Sequence, residues 1–309
     1  MEDAIRKADV LIEALGYIRK FTGRYTVIKL GGSVMEDSES LHALLVDIVF
    51  MQTVGMRPVV VHGGGKAINA AMERSGLTPR WVQGRRFTDE ATLEIVARVL
   101  AEEVNAIIVR HINKFGGRAA GLHHKSNQQC LYGDRLTLAG SNGDRIDLGR
   151  VGEVTEVDTQ PIENMCLGGV VPVLPCLAED DDGGLLNVNA DTAAAAVASA
   201  LVADKLVFLT DTPGILRDRD DPSTLIRGVT PAKCRELIAA GIVDKGMIPK
   251  VEACLACLDA GVKKIHIIDG RLRHALLLEI FTAQGIGTEI STDSKPEPSG
   301  TRRPVVLKT

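Results

Sequence analysis

Two glycine-rich turns, each directly after an apolar run, have the composition of phosphate-binding loops. The first is KLGGS, residues 29–33, and the second is HGGGK, residues 62–66. Adjacent glycines let backbone N–H groups approach an anion closely, and a helix that begins after such a turn adds the positive end of its dipole. Lys29 would add a point charge at the same place, although a tight turn with a surface lysine explains the first motif equally well. Together the two turns indicate binding of a phosphoryl group or another anionic oxygen.

Two further segments carry side chains that could bind a carboxylate or orient an ammonium group. Arg86, beside Arg85 in WVQGRRFTD, could form a bidentate pair with a substrate carboxylate, and a pair of solvated arginines is the alternative. In LNVNAD, residues 186–191, alternation places Asn187 and Asn189 on one face. Asp191 lies just before an alanine-rich helical run, so it could cap that helix or orient nearby ammonium groups.

Two segments in the second half of the chain have features of a nucleotide pocket. TDTPGI, residues 210–215, is a loop with proline and glycine that follows an apolar strand. KGMIPK, residues 245–250, begins a helix in which Pro249 suits the first turn. Lys250 lies near the positive end of that helix, an unfavourable place for a cation. It is therefore either a partner of a bound anion or a surface lysine.

The common nucleotide fingerprints and cysteine sites are absent from the sequence. Neither glycine turn has the G-x-G-x-x-G spacing, and Leu122 stands where a Walker loop running from Gly116 to Gly121 would need lysine. The six cysteines are too sparse for a disulfide framework. Cys254 and Cys257 form a C-x-x-C inside a helical run without a second Cys or His pair, so we expect buried thiols rather than a metal or redox site.

The segments that could do chemistry must be positioned by strands and helices that alternate along the chain. Strands that are nearly all apolar and separated by helices predict an α/β fold with a mainly parallel sheet covered on both faces. Residues 80–88 and 130–157 instead have short alternating runs and turn signals such as SNG, residues 141–143, which predict β-hairpins. The acidic stretch EDDDGG, residues 179–184, is predicted to be a solvated connection between two lobes.

The two ends of the chain differ from this α/β pattern. Apolar residues recur at three- and four-residue spacing before the first strand, which predicts an amphipathic helix that packs on its own domain or on another subunit. They are Ile5, Ala8, Leu11, Ile12, Leu15 and Ile18. The polar last residues predict a flexible tail. We therefore divide the chain into an N-terminal helix (1–22), an N-lobe (23–180), a C-lobe (181–292) and a tail (293–309).

The composition argues against several other classes of protein. Only 3% of the residues are aromatic, which leaves few rings for base stacking, and a net charge of −4 is unusual for a nucleic-acid binder. The start has no uninterrupted apolar stretch of signal-peptide type, and no segment has the roughly 18 uncharged apolar residues that a membrane span needs. We expect a cytoplasmic protein that binds neither nucleic acid nor a membrane.

Seven segments, taken together and in order, resemble the motif series of the N-acetylglutamate kinases in the amino-acid kinase family. They are KLGGS, VVHGGGKAIN, GRRFTD, LGRVGEV, LNVNADTAA, TDTPGIL and GMIPKV. The resemblance implies an open αβα sandwich with a mainly parallel central sheet, with the acylated amino acid in the N-lobe and MgATP in the C-lobe. It also implies ATP-dependent phosphorylation of the side-chain carboxylate of N-acetyl-L-glutamate, a step of arginine biosynthesis.

The same resemblance implies roles for individual residues. Lys29 and Lys250 match the lysines that stabilise the transferring phosphoryl group, and Asp191 matches the acid that orients them. The residues that match substrate-binding positions are Gly64, Gly65, Arg86, Asn187 and Asn189. The residues that match ATP-binding positions are Gly31, Gly32, Thr210, Asp211, Gly214 and Leu216. ATP and Mg²⁺ are the expected cofactors, and no residue is assigned as a metal ligand.

Both ends of the resemblance are similar to the arginine-inhibited branch of these kinases. The segments are LIEALGYIRKFTGRYTVIK and HIIDGRLRHALLLEIFTAQGIGT. In that branch an N-terminal helix joins dimers into a hexamer, so the resemblance implies a homo-hexamer, a trimer of dimers. Tyr17, Glu279 and Gly285 fall where L-arginine would bind as an inhibitor.

Three departures from the family pattern leave the exact acyl substrate open. Arg85 replaces an apolar residue, Lys66 replaces a proline, and HHKSN, residues 123–127, replaces a stretch that contains glycine. Carbamate, aspartate and uridylate kinases are alternatives within the family, although GRRFTD and NVNAD favour acetylglutamate. An arginine sensor without turnover is the alternative outside enzymes, and it would be expected to lack Lys29, Lys250 or Asp191.

Overall fold

The computed structural model of the protein describes residues 1–126, 128–139, 144–243, 247–282 and 284–292, apart from the side chains of residues 3, 4, 7 and 33. The strands are β1 (Tyr25–Leu30), β2 (Arg57–His62), β3 (Trp81–Val82), β4 (Arg85–Arg86), β5 (Ala119–Gly121), β6 (Leu131–Ala139), β7 (Arg145–Val157), β8 (Val171–Pro175), β9 (Leu177–Glu179), β10 (Leu185–Val188), β11 (Lys205–Thr210), β12 (Gly228–Val229), β13 (Lys264–Asp269) and β14 (Thr288–Ser291). The helices are α1 (Glu2–Phe21), α2 (Gly32–Glu36), α3 (Ser38–Thr53), α4 (Gly65–Arg74), α5 (Glu90–Arg98), α6 (Asn105–Lys114), α7 (Thr159–Leu167), α8 (Ala190–Ala200), α9 (Pro231–Ala239), α10 (Ile248–Asp259) and α11 (Ala275–Ile280). A π-helix, Val99–Val104, joins α5 to α6.

Within the described residues, eight strands form one sheet in the order β12-β14-β13-β11-β1-β2-β8-β5. The strands from β13 to β5 are parallel to one another, and β14 is antiparallel to β13. This order places β11, β1 and β2 side by side near the centre. Their C-terminal ends therefore share one edge of the sheet, which is where open α/β folds bind ligands.

The sheet is buried on both faces, as the apolar strands predicted. Val59 and Val61 of β2 belong to the apolar cluster on one face, which includes residues of α4, α8 and α10. Val60 between them belongs to the cluster on the other face, with residues of α3 and α6. Successive side chains of a strand point to opposite faces, so an apolar strand of this kind must be covered twice. The predicted open αβα sandwich is confirmed.

The two predicted hairpin regions are confirmed, and the second is part of a small barrel. Strands β3 and β4 pair antiparallel, as do β6 and β7. Strands β9 and β10 close a four-stranded barrel with β6 and β7. The acidic stretch forms the turn between β9 and β10, where Asp180 accepts a hydrogen bond from the Gly184 N–H and pairs with Arg150. The predicted turn at residues 141–143 lies outside the described residues, and the division into lobes near residue 180 stays a prediction.

Helices α3 and α11 differ most in length from the sequence expectation. Helix α3 begins at Ser38 rather than at Leu41, because the Asp37 carboxylate caps it by accepting the Ser40 N–H at 3.0 Å. Helix α11 was predicted over Arg273–Gln284 but covers only Ala275–Ile280, and it follows His274, whose φ is +59°. A left-handed residue cannot continue a right-handed helix, so α11 cannot extend back to Arg273.

Helices α1 and α10 match their predicted character. Helix α1 is amphipathic and leaves Leu11 and Ile12 71% and 69% exposed. Helix α10 carries Cys254 and Cys257 as buried free thiols, as predicted. Among the described helices, none is both long and apolar enough for a membrane span. The predicted tail, residues 293–309, lies outside the described part of the chain.

Candidate active site

Two lysines meet one carboxylate at the C-terminal edge of the sheet. Lys29 Nζ lies 2.8 Å from Asp191 Oδ1, and Lys250 Nζ donates to Asp191 Oδ2 at 2.5 Å. The lysines come from β1 and from the first turn of α10, and Asp191 comes from the first turn of α8. Burial raises the pKa of Asp191, but the two ammonium groups outweigh it, so the pKa lies below the ordinary value. The carboxylate is therefore ionised and opposes only one of the two ammonium charges, and the surplus positive charge favours an anionic ligand.

Asn189, rather than Asp191, caps helix α8. The Asn189 side-chain oxygen accepts the N–H groups of Asp191 and Thr192, at 2.8 and 3.2 Å. The interpretation of Asp191 as the cap is wrong, because Asn189 is the residue with extended backbone just before the helix. Asp191 is one position too far along, so its carboxylate is available to the lysines. The same carboxylate compensates the unfavourable interaction between the Lys250 ammonium group and the positive end of the α10 dipole.

Both glycine turns lie at this edge and need glycine for close packing. A Cβ atom on Gly31 would lie 2.5 Å from the carbonyl oxygen of Leu209. A Cβ atom on Gly64 would lie 2.7 Å from Leu100 Cδ2. Nothing lies within 4 Å of the corresponding positions on Gly32 and Gly65. The space on the Cβ side of these two residues is therefore free of protein atoms, which agrees with an anion-binding turn.

Arg86 is buried beside the second glycine turn. Its guanidinium donates to Asn69 Oδ1 at 2.6 Å and to the Gly65 carbonyl at 3.2 Å, and it lies over the Trp81 ring at 4.8 Å. Burial lowers the pKa of Arg86. In the described part of the chain no acidic side chain forms an ion pair with it. A buried guanidinium in this setting favours a ligand carboxylate as its counterion.

The predicted amide pair divides between two tasks. Asn187 Nδ2 donates to Thr88 Oγ1 at 3.1 Å, which connects β10 to the segment that follows Arg86. Asn189 uses its oxygen for the helix cap described above. Neither Asn69 nor Thr88 was predicted from the sequence. Asn69 could have been considered from the sequence because it lies one turn into the helix that begins at Gly65. Only the packing of α4 against the hairpin, however, brings its side chain to Arg86.

A cavity of about 460 Å³ adjoins Lys250 and is lined by residues from the second half of the chain. All four residues expected to bind the nucleotide from TDTPGIL line it: Thr210, Asp211, Gly214 and Leu216. Apolar side chains of Ile242, Val243 and Met247 add a surface suited to an aromatic base. Gly214 has φ of +144°, and a Cβ atom there would lie 2.4 Å from Thr288 Oγ1.

The three residues predicted for arginine lie away from this site. Glu279 joins a buried chain in which His266 Nδ1 lies 2.6 Å from Glu279 Oε1 and Lys205 Nζ lies 3.2 Å from His266 Nε2. Lys205 begins β11 and Thr210 ends it, so these three hydrogen-bonded side chains lie toward the opposite edge of the sheet from the nucleotide cavity. Tyr17 contacts the ring of Phe281 edge-on, with 6.3 Å between centroids.

Sequence comparison assigns the family. Residues 24–269 match the amino acid kinase family. The chain belongs to that family. An acetylglutamate kinase of Methanocaldococcus jannaschii is 47% identical, over 95% of this chain and 99% of its own length. An acetylglutamate kinase of a Synechocystis species is 48% identical, over 94% of this chain and 95% of its own. These matches confirm the predicted family and the predicted enzyme class.

Solved structures of the same fold agree with this family. An N-acetylglutamate synthase from Neisseria gonorrhoeae, complexed with coenzyme A and N-acetyl-glutamate, has a TM-score of 0.80 and 26% identity over 92% of this chain. The chain spans 63% of the length of that synthase. A carbamate kinase from Giardia lamblia bound to AMP-PNP has a TM-score of 0.64 and 16% identity, covering 88% of this chain and 99% of the kinase, which supports the fold alone.

Proposed function

We propose that this protein is a cytoplasmic enzyme of arginine biosynthesis that transfers the γ-phosphoryl group of ATP to the side-chain carboxylate of N-acetyl-L-glutamate. The products are N-acetyl-L-glutamyl 5-phosphate and ADP. The observation that carries the proposal is the Lys29–Asp191–Lys250 cluster, which adjoins the nucleotide cavity at the edge where the glycine turns lie. The names of the relatives that match 94 to 95% of the chain support the choice of substrate.

Phosphoryl transfer to a carboxylate needs no general base, because the attacking oxygen is already ionised at neutral pH. The carboxylate oxygen forms a bond to the γ-phosphorus while the bond from phosphorus to the β,γ-bridging oxygen breaks, and ADP leaves with that electron pair. Catalysis then consists of positioning and of neutralising the charge on the phosphoryl oxygens. Lys29 and Lys250 supply the positive charge, and Asp191 holds both ammonium groups in place.

The substrate lies between the second glycine turn and the hairpin in this proposal. Arg86 binds a carboxylate of N-acetylglutamate with its guanidinium, which Asn69 and the Gly65 carbonyl orient. The backbone N–H groups of Gly64 and Gly65 contact the reacting carboxylate. Asn187 of β10 and Asn189, the residue just after that strand, present amide groups to the rest of the substrate.

ATP occupies the cavity next to Lys250 and directs its phosphates toward Gly31 and Gly32. Among the described residues, no group of three His, Cys, Asp or Glu side chains could hold a metal ion. Mg²⁺ usually keeps several waters and binds through substrate phosphates with one or two carboxylates. The ion is therefore proposed to arrive as part of MgATP and to neutralise phosphate charge there.

We further propose that L-arginine inhibits the enzyme by binding near Tyr17, Glu279 and Gly285. Burial raises the pKa of Glu279, but the hydrogen bond from His266 and backbone N–H groups lower it to about 2, so the carboxylate is ionised at neutral pH and adds a negative charge at the proposed site. Tyr17 belongs to α1, whose exposed apolar stripe fits a second copy of the helix. We propose that this stripe joins dimers into a hexamer, a trimer of dimers.

The test of the proposed reaction is ADP release with four candidate acceptors, N-acetyl-L-glutamate, aspartate, carbamate and UMP, each with and without arginine. Turnover with N-acetylglutamate alone supports the proposal. Turnover with another acceptor would assign a different member of the family, and no turnover with any would favour a sensor.

Deletion of residues 1–20 tests the second proposal, since it should lower both the assembly size and the response to arginine. If neither changed, the role of α1 would be rejected.

A further inference from the structure

His62 is a buried imidazole whose two nitrogens are both hydrogen-bonded. It ends β2 and is the first residue of the second glycine turn, and its side chain is fully buried. Nδ1 lies 2.9 Å from the Gly63 carbonyl oxygen, and Nε2 lies 3.1 Å from Asn105 Nδ2. A carbonyl oxygen only accepts, so Nδ1 must carry the proton and donate it.

Asn105 fixes the other side of this arrangement. Its Nδ2 also donates to the Val173 carbonyl at 2.9 Å, which identifies that atom as the amide nitrogen. The second N–H of the same nitrogen therefore points at His62 Nε2, which must be an unprotonated acceptor. Both partners thus require the same neutral tautomer, and burial lowers the pKa of His62 to about 4.

The π-helix brings Asn105 and Leu100 to the same turn of backbone. The Asn105 N–H bonds to the Leu100 carbonyl, five residues back. In a regular α-helix, residues five apart lie on different faces. Here Leu100 packs at the Gly64 position while Asn105 reaches His62, two residues before Gly64. Short π segments within α-helices occur frequently at functional sites.

We propose that Asn105 and His62 are positioning residues for the glycine turn. Asn105 holds the His62 tautomer, His62 holds the Gly63 carbonyl, and this aims the N–H groups of Gly64 and Gly65 at the reacting carboxylate. Neither side chain touches the substrate. The inference rests on the proposed phosphoryl transfer, and it assigns a role to residues that the reaction itself does not require.

Asn113 provides a matched control on the same helix. Its side chain bonds both backbone groups of Ala119, at 2.7 and 3.2 Å, so it also connects α6 to the sheet, but at the end far from the glycine turn. Asn105→Leu and Asn113→Leu should both lower the melting temperature. Only Asn105→Leu should lower kcat, on the order of 10- to 100-fold, because displacement of a reacting group by about 1 Å has effects of this size.

Variants of His62 separate positioning from simple core packing. His62→Asn keeps an N–H donor near the Nδ1 position, whereas His62→Leu does not. The asparagine variant should keep a larger fraction of kcat, with the KM for ATP changed by less than about twofold in both. The inference is overturned if Asn105→Leu and Asn113→Leu have equal kcat at equal losses of melting temperature, or if His62→Leu is as active as His62→Asn.

A measurement without turnover distinguishes this inference from the proposed reaction. In protein labelled with ¹⁵N-histidine, with His62 assigned by the loss of its signals in His62→Asn, the wild type should contain the neutral Nδ1–H tautomer from pH 5.5 to 8. Asn105→Leu should shift that tautomer equilibrium, and Asn113→Leu should not. An Nε2–H or charged His62 in the wild type would refute the inference even if the enzyme phosphorylates N-acetylglutamate. A failed acceptor assay would leave this result standing.

Discussion

Asp191→Asn is the most direct test of the two-lysine cluster, because it removes one charge with almost no change in shape. In the wild type the carboxylate lies between two ammonium groups, at 2.8 and 2.5 Å from its two oxygens. Two ammonium nitrogens that each bind a different oxygen of one carboxylate are roughly 4 to 7 Å apart. At an effective dielectric constant of about 20, the repulsion between these two positive charges is about 2 to 4 kcal/mol. The variant leaves this repulsion unopposed.

The expected result is a loss of kcat on the order of 10²-fold, since about 1.4 kcal/mol corresponds to tenfold in rate. ADP release at saturating ATP and N-acetylglutamate measures it. The matched control is Asp180→Asn, because Asp180 also forms a partly buried ion pair, 3.0 Å from Arg150, but lies in the turn between β9 and β10. The control should change kcat by less than about twofold.

A folded Asp191→Asn variant that kept more than about a third of the wild-type kcat would refute this account of the cluster. The pH profile provides a second check. The pKa of Asp191 in the folded protein lies below its ordinary value, so the carboxylate stays ionised at every pH above that value. Protonation of Asp191 should therefore produce no fall in kcat between pH 6 and 9. A fall in this range that disappears in the asparagine variant would contradict the ion-pair assignment.

Three further predictions test the substrate site, the nucleotide loop and the Glu279 cluster. Arg86→Lys should raise the KM for N-acetylglutamate about tenfold or more, since a charged hydrogen bond contributes about 1.5–3 kcal/mol, and should leave the KM for ATP unchanged in steady-state assays. Gly214→Ala should raise the KM for ATP and lower the melting temperature, because its φ of +144° and the 2.4 Å approach to Thr288 Oγ1 exclude a Cβ atom. Glu279 has its pKa lowered from 4.5 to about 2, so its contribution to the free energy of unfolding is present above pH 4.5 and is lost as the pH falls toward 2. Glu279→Gln should make the urea midpoint depend less steeply on pH over that range. An unchanged pH dependence of the midpoint would contradict the assignment.

The sequence was sufficient for the fold class and for most of the candidate site. Strands such as VVV at residues 59–61 are apolar on both faces, so the chain must cover each of them twice. Lys29 lies at the end of such a strand, the glycines of the two turns follow such strands, and parallel strands end at one edge of a sheet. The prediction that these segments lie together therefore needed only local patterns and one topological rule.

Contacts between distant segments were not available from local patterns. Lys250 reaches Asp191 across 59 residues of sequence, and the resemblance to a family, rather than any periodicity, indicated that pair. Asn69 is an ordinary helical residue in the sequence, and its bond to Arg86 depends on how α4 packs against the hairpin. Neither the spacing nor the composition of these segments reports on such packing.

The residue types and the periodicity of apolar positions thus determined which side chains could act, because buried helices and strands require characteristic spacings of apolar residues in the local sequence. The tertiary structure decided which of them act together. Asn189 and Asp191 are equally good capping residues by type, and only the backbone at Asn189 assigns the cap to it and leaves Asp191 for the lysines. The π-helix at Val99–Val104 was likewise not predicted from the sequence, and it became visible only in the structure, where Leu100 packs at the Gly64 position and the adjoining Asn105 bonds to Val173 of the sheet.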